Sequence, residues 1–338
     1  MDIETQNTII EQYHKCSQLR KQIVTIFLLS SNREKYIKQA VDSILRQTFS
    51  SFCLVILDNN SSDSTKSIIE KYDDDRIFFI QKESPFPGAN FQFAFSICNT
   101  QYMTVFHDDD VINEQYLSIM LNVINSDDNI VLLSPSANII NEVGEITRKP
   151  ENIAGRYEGD LYLKHFITKE RKMARLWFPA NMYRTSFYRK EMFEDFYSAG
   201  PCRDQYLTFQ SERYGGVIKV ISDRLINYRI HSNQDSSINA GRMELQLFNF
   251  LMNDEYYSSK IIKYNKLYRY IASAYKAVAI NYMYNKDRGV RDCLRIERKI
   301  IKKTDIKTSI LLIICNISFL FFDITIVPLA LLLKRAKA

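Results

Sequence analysis

From Ile23 to about Ile130, short apolar runs alternate with amphipathic stretches, which predicts strand-helix-strand units around a parallel sheet. Ile23 to Leu29 is rich in β-branched and apolar residues and almost uninterrupted, as a strand covered on both faces should be. Glu34 to Gln47 then places Ile37, Ala40, Val41, Ile44 and Leu45 at helical spacing, giving one apolar face. A second strand runs from Phe52 to Leu57 and stops at Asp58, and Ser61 to Thr65 supply N-cap candidates for a helix through Ile68 and Ile69. Arg76 to Gln81 reads as a third strand, followed by a turn-rich stretch from Ser84 to Gly88 and a helix from Phe91 to Ile97. Tyr102 to Phe106 is a fourth strand that runs straight into His107-Asp108-Asp109-Asp110.

Past residue 130 the periodicity weakens. Ile130 to Leu133 and Gly216 to Ile221 read as strands, Arg171 to Tyr183 is aromatic and basic with no assignable period, and Met243 to about Lys303 suggests helices. In an open parallel sheet the ligand crevice lies outside the carboxyl ends of the strands, so Asp58 and the Asp108 to Asp110 run are expected to converge there. Consecutive carboxylates in a partly dry site repel one another strongly. A divalent cation relieves that repulsion, and Mg²⁺ or Mn²⁺ on carboxylate oxygens keeps positions for water and phosphate. The alternative is a solvated loop or a helix N-terminus, where aspartate is also favoured.

Charge placement adds a second feature. The chain of 338 residues has a formal net charge of +6, but residues 286–338 carry +7 and residues 1–285 carry −1. A basic tail beside apolar runs suits an anionic membrane surface better than a nucleic acid, so no nucleic-acid partner is expected. Neither a phosphate loop ending in Gly-Lys-Ser/Thr nor G-x-G-x-x-G occurs, which argues against Walker-type nucleotidases and ordinary dinucleotide dehydrogenases. The six cysteines lack C-x-x-C spacing and read as reduced, buried thiols. The first 22 residues are polar without an apolar signal core, so the catalytic part is expected to face the cytosol.

Several segments taken in order resemble the family 2 inverting glycosyltransferases of GT-A fold. They are Thr25 to Arg33, Ala40 to Gln47, Leu57 to Thr65, Gly88-Ala89-Asn90 and Phe106 to Asp110, followed by Pro201 to Leu207 and Leu225 to Ser236. The resemblance implies an α/β, Rossmann-like, mostly parallel sheet flanked by helices, acting on a nucleoside-diphosphate sugar with Mn²⁺ or Mg²⁺. It further implies that Ser31, Asn32, Arg33 and Asn90 line the nucleotide-sugar site and that Asp58 accepts from the base ring. Asp109 would be the main metal ligand, with Asp108 and Asp110 assisting. His107 departs from the usual first Asp of the D-x-D element and is expected as a hydrogen-bonding neighbour of ribose or phosphate.

Asp204 matches the aspartate of the family's acidic motif, while Arg203 replaces its usual glutamate; Asp204 is the expected general base for an inverting transfer. Simple N-capping of the following helix is its alternative role. Arg229 and His231 alternate along a strand and are expected to face outward, Arg229 to the diphosphate and His231 to the metal; an exposed strand with one salt bridge is the other reading.

The tail holds an apolar run from Ser309 to Phe322, then Asp323, then a run from Ile324 to Leu333, with lysines and arginine on both flanks. The first run covers only roughly 21 Å of a hydrocarbon core of roughly 30 Å. A monotopic or re-entrant hairpin on the cytoplasmic face of a bacterial inner membrane is therefore expected, with a buried C-terminal helix as the alternative. The expected organisation is an extension over 1–22, the GT-A domain over 23–240, a helical extension over 241–305 and the membrane-associated tail over 306–338. A UDP-sugar donor and a lipid-linked saccharide acceptor complete the expectation, with a role in bacterial cell-surface polysaccharide synthesis implied by the resemblance. A non-catalytic nucleotide-sugar-binding or scaffold subunit is the competing class, and a nucleotidyltransferase a third.

Overall fold

The computed structural model describes residues 3–81, 89–168, 174, 176–196, 199, 202–231, 243 and 246–264. The expected tail over 306–338, most of the 241–305 extension, Gly88 and the segment after His231 lie outside the described residues.

The first four strands form where the apolar runs predict them: β1 (Val24–Ser30), β2 (Phe52–Asp58), β3 (Ile77–Gln81) and β4 (Tyr102–His107). All seven positions of β2 are buried, as an unbroken apolar strand requires when both faces are covered. Further strands are β5 (Val111–Ile112), β6 (Ile130–Ile140), β7 (Ile146–Arg148), β8 (Gly155–Tyr157), β9 (Met182–Arg184) and β10 (Val217–Arg229). The sheet order is β3-β2-β1-β4-β9-β6-β10-β5, with β7 on β6 and β8 on β10. Neighbours from β3 to β4 are parallel, as are β6 and β10, while β9 runs antiparallel between β4 and β6. The α/β sheet is thus mixed rather than mostly parallel: six strands run one way, while β9 at its centre and β5, β7 and β8 at its margins run antiparallel to their neighbours.

Parallel register decides what meets at the carboxyl edge. Ser30 pairs with Asp58, Asp58 with Gln81 and Leu29 with His107, so the carboxyl ends of β1 to β4 lie side by side. Helices α2 (Ile37–Leu45) and α5 (Tyr116–Ile124) press Ile37, Val41, Ile44, Leu117, Met120 and Ile124 into one core with β1, β2 and β6. Each fully buried side chain of this size contributes about 1.5–3 kcal/mol.

The polar N-terminal stretch is helix α1 (Ile3–Leu19), an element its composition did not announce. Tyr13 is its buried anchor: the hydroxyl lies 2.8 Å from Thr25 Oγ1, and the ring meets Phe27 and Phe78 edge-on. Cys16, Cys53 and Cys98 are free thiols, and burial pushes that of Cys53 up to about 12.

Strands β6 and β10 are longer than their apolar cores suggested. Pro135 has no N–H to give, and opposite it β10 changes register between Val220 and Arg224, so the two strands resume pairing beyond a bulge. That continuation carries β10 to Arg229.

Contacts divide the chain into two compact units. The first holds residues Met1–Gly159, Ala174–Phe193 and Thr208–His231; the second holds Asp160–Met173, Glu194–Leu207 and Ser232–Ala338. Within the second, Asp160 accepts from Lys260 and Tyr264, and the rings of Tyr206 and Tyr257 pack edge-on. Among the described residues no helix is long and apolar enough to cross a membrane.

Candidate active site

The loops after β1 and β2 are laced together by backbone donors and short polar side chains. Asn32 (φ 51°) and Asn60 (φ 53°) take left-handed conformations that asparagine tolerates better than most residues. Asn32 N–H donates to Ser61 Oγ at 2.7 Å, and Ser62 N–H donates back to Asn32 Oδ1 at 2.8 Å. Arg33 N–H donates to Thr65 Oγ1 and Glu34 N–H to Asp63 Oδ2. Fully buried Asp58 accepts from Ser61 N–H, Ser61 Oγ–H and Gln81 Nε2, the last at 3.1 Å. Asn90 donates to Leu57 O, leaving its buried Oδ1 with no partner among the described residues. Ser31, Asn32, Arg33, Asp58 and Asn90 are therefore gathered at one edge, with Ser61 and Gln81, which the sequence reading had not singled out.

The acidic run closes the same edge. Asp108, Asp109 and Asp110 are each at most 6% exposed. Asp108 accepts from Ser31 N–H at 2.9 Å and lies 3.3 Å from Arg33 Nε, so its carboxylate ties the first loop down. Burial, then the charge of Asp109, hold the Asp108 carboxyl up to about 7 and that of Asp110 well above the carboxylate range. Ligand atoms of His107, Asp109 and Asp110 all lie within 4.8 Å of one another, and Asp110 Oδ2 is buried with no hydrogen-bond partner among the described residues. Two carboxylates and an imidazole in one group, with a buried unsatisfied oxygen on Asp110, fit a divalent cation. The His107 ring nitrogen lies in this group. Asp108 does not.

Arg229 corrects the outward-facing expectation. Its side chain is wholly buried: Nε donates to Asp109 O at 2.6 Å, Nη1 to Asn141 O and Glu142 O, and Nη2 to Gln39 Oε1 at 2.8 Å. Its backbone N–H also donates to Asp110 Oδ1 at 2.7 Å. Strand alternation places Arg229 on one face without saying whether that face is covered, and here the turn after β6 covers it. Its guanidinium braces the acidic loop from behind and is spent on carbonyls. His231 Nε2 sits 2.9 Å from Asp109 Oδ2, next to that carboxylate and outside the converging donor group. The buried ring of Tyr36 packs against both, 4.8 Å from the Arg229 guanidinium carbon and 5.3 Å from the His231 ring. No sequence signal marked Tyr36.

Residues 25–196, just over half of the chain, match the family Glycosyl transferase family 2. The chain belongs to that family. It is similar to an uncharacterized glycosyltransferase, MJ1057, of Methanocaldococcus jannaschii, at 25% identity over 65% of this chain and 74% of the other. A shorter match, 29% over 30% of this chain and 34% of the other, is to the GalNAc(5)-diNAcBac-PP-undecaprenol beta-1,3-glucosyltransferase of Campylobacter jejuni. In fold it resembles S. aureus TarS solved with UDP, with TM-score 0.59, 17% identity and coverage of 86% of this chain and 83% of that one. It also resembles the mannosyltransferase PcManGT of Pyrobaculum calidifontis, solved with GDP-Man and Mn²⁺, with TM-score 0.52, 11% identity and coverage of 94% and 96%.

In this glycosyltransferase Asp204 stands in the first turn of α7 (Arg203–Arg213), in the part of that helix belonging to the second unit. Burial raises its carboxyl to about 6, against the pull of the helix-end N–H groups. Such a group is ionised near neutral pH yet basic enough to take a proton.

Proposed function

We propose that the protein is a metal-dependent inverting glycosyltransferase that moves a sugar from a nucleoside diphosphate, a UDP-sugar foremost, to a hydroxyl of a lipid-linked saccharide. The observation carrying this reading is the buried acidic edge of the family 2 fold, where Asp109, Asp110 and His107 converge beside the Asp58 loop. A divalent ion held there supplies charge neutralisation for the diphosphate leaving group. Asp58 and Asn90 present acceptors to the base and ribose, and the Ser31 to Arg33 loop, tied to Asp108, holds the nucleotide against the sheet edge. Arg229 and His231 hold the acidic loop rather than the donor. Asp204 is the general base that takes the acceptor hydroxyl's proton, a role supported by its place in the family motif and its raised pKa. UDP in the TarS structure and GDP-Man with Mn²⁺ in that of PcManGT support the donor class. The Campylobacter relative's polyprenyl-linked substrate supports the acceptor class. The basic, apolar tail supports attachment to the cytoplasmic face of a bacterial inner membrane.

Calorimetry with UDP, with and without Mn²⁺, tests the donor and metal together, followed by donor-hydrolysis assays across a panel of nucleotide sugars. Binding that needs Mn²⁺ and disappears in Asp109→Ala is expected. Equal affinity in EDTA would refute metal dependence, and transfer surviving in Asp204→Asn would move the base elsewhere.

A further inference from the structure

We propose that His107 is a direct ligand of the metal, and that this imidazole tunes the site toward Mn²⁺ and other borderline first-row ions over Mg²⁺. The inference rests on the metal reading above and adds the identity and consequence of one donor. Where the family's acidic element begins with a carboxylate, this chain has His107 at the last position of β4, level with Leu29 of β1. Its ring nitrogen falls within the 4.8 Å group that holds one oxygen each of Asp109 and Asp110. Donors bound to one ion at about 2.1 Å stand at most about 4.2 Å apart, so closure of this group around a cation needs only a small inward movement.

Three further features aim the site at a cation with a nitrogen ligand. Asp110 Oδ2, on a residue 1% exposed, has no hydrogen-bond partner among the described residues, so this carboxylate keeps a desolvated oxygen that no protein donor satisfies. Phe178 packs edge-on against the His107 ring at 5.5 Å and itself packs on Phe91, which restrains the ring's rotation. Asp108, the other carboxylate at hand, is held by Ser31 N–H and Arg33 and is not among the converging donors. A nitrogen and two carboxylate oxygens form a set that Mg²⁺, a hard ion preferring oxygen and water, binds less well than Mn²⁺ or Co²⁺.

Pulsed electron paramagnetic resonance of Mn²⁺ bound to the full-length protein reads nitrogen ligation directly, without turnover. Nitrogen-14 modulation is expected in the wild type and in His231→Gln, and absent in His107→Asp and His107→Asn. Calorimetric competition should show Mn²⁺ preferred over Mg²⁺ by about tenfold or more, falling to within about threefold in His107→Asp. Thermal melts of both His107 variants, and retained Mn²⁺ binding by His107→Asp, certify that the fold survives. Mn²⁺ that binds with no nitrogen coupling, or whose coupling is lost in His231→Gln and kept in His107→Asp, overturns the His107 assignment while leaving the metal site standing. Mn²⁺ that does not bind the wild type overturns the metal reading and this inference with it.

Discussion

The two halves of the sheet reach the same edge by different means. Strands β1 to β4 are short, parallel and mostly apolar, and β1, β2 and β4 each pass directly into a loop at the carboxyl edge. Strands β6 and β10 are long, pair in parallel with each other, join β4 only across antiparallel β9, and are interrupted by a bulge before they arrive. The first half supplies carboxylates, the loop donors and His107; the second supplies Arg229, buried among backbone carbonyls, and His231, which rests on Asp109. His231 meets Asp109 across 122 residues of sequence. The residues gathered at the acidic edge thus come from near-neighbour chain segments, and the braces that hold them come from distant ones.

Removing the brace should have the largest effect. Arg229→Met leaves the carbonyls of Asp109, Asn141 and Glu142 without their donor and removes a buried cation beside Asp110, so urea unfolding should show a loss of about 3–5 kcal/mol. Were Arg229 instead a diphosphate ligand, stability would hold and only UDP affinity would fall. The converse experiment is Asp58→Ala in the first half. It removes an acceptor of Ser61 and Gln81, and calorimetry should show UDP binding weakened about ten- to a hundredfold, or about 1.4–2.7 kcal/mol. An unchanged UDP affinity would break the assignment of that half to the donor.

Protonation sharpens the comparison, because the proposed base lies in neither half of the sheet. Asp204 carries a carboxyl raised to about 6, so it is protonated and inactive below that pH and ionised above it. The transfer rate should therefore climb about tenfold per pH unit up to about pH 6 and then level off, with no such inflection in the residual rate of Asp204→Asn. The same raised pKa works against stability: the folded state holds this proton more tightly than the unfolded chain. The group's contribution to stability is full below about pH 4, the unfolded range, and is lost as pH rises through about 6. Urea titrations at pH 4.5 and 7, compared between wild type and Asp204→Asn, would expose the slope.

The smallest change is expected at the helix that backs the first half. Tyr13→Phe loses the hydroxyl placed 2.8 Å from Thr25 Oγ1 and accepting from Asn99 N–H, which should cost about 1 kcal/mol in a melting experiment and leave UDP binding unaltered. A shift in UDP affinity would mean that α1 acts on the crevice as well as on the core.

Local pattern was enough to read β1 to β4 to within a residue or so, because for β1, β2 and β4 a mostly apolar run covered on both faces has one place to go in a parallel sheet, and β3 pairs at their edge. The convergence of Asp58 with Asp108 to Asp110 followed from the same rule, since parallel strands end on one side. The aromatic and basic stretch hiding β9 had no period to read, and polar α1 gave no sign that Tyr13 is buried.

From the residues alone came the alternating α/β architecture, the acidic edge and the family likeness, all of which depend on contacts within a few turns of chain or on motifs in fixed order. Only the tertiary structure decided that Arg229 points inward and that His231 rests on Asp109. It also decided that a ring nitrogen of His107, and no oxygen of Asp108, falls into one group with Asp109 and Asp110. The reason is that alternation along a strand assigns a side chain to a face but leaves open what covers that face. Here the cover is built from β6, its following turn and Tyr36, segments with no sequence relation to the residues they enclose.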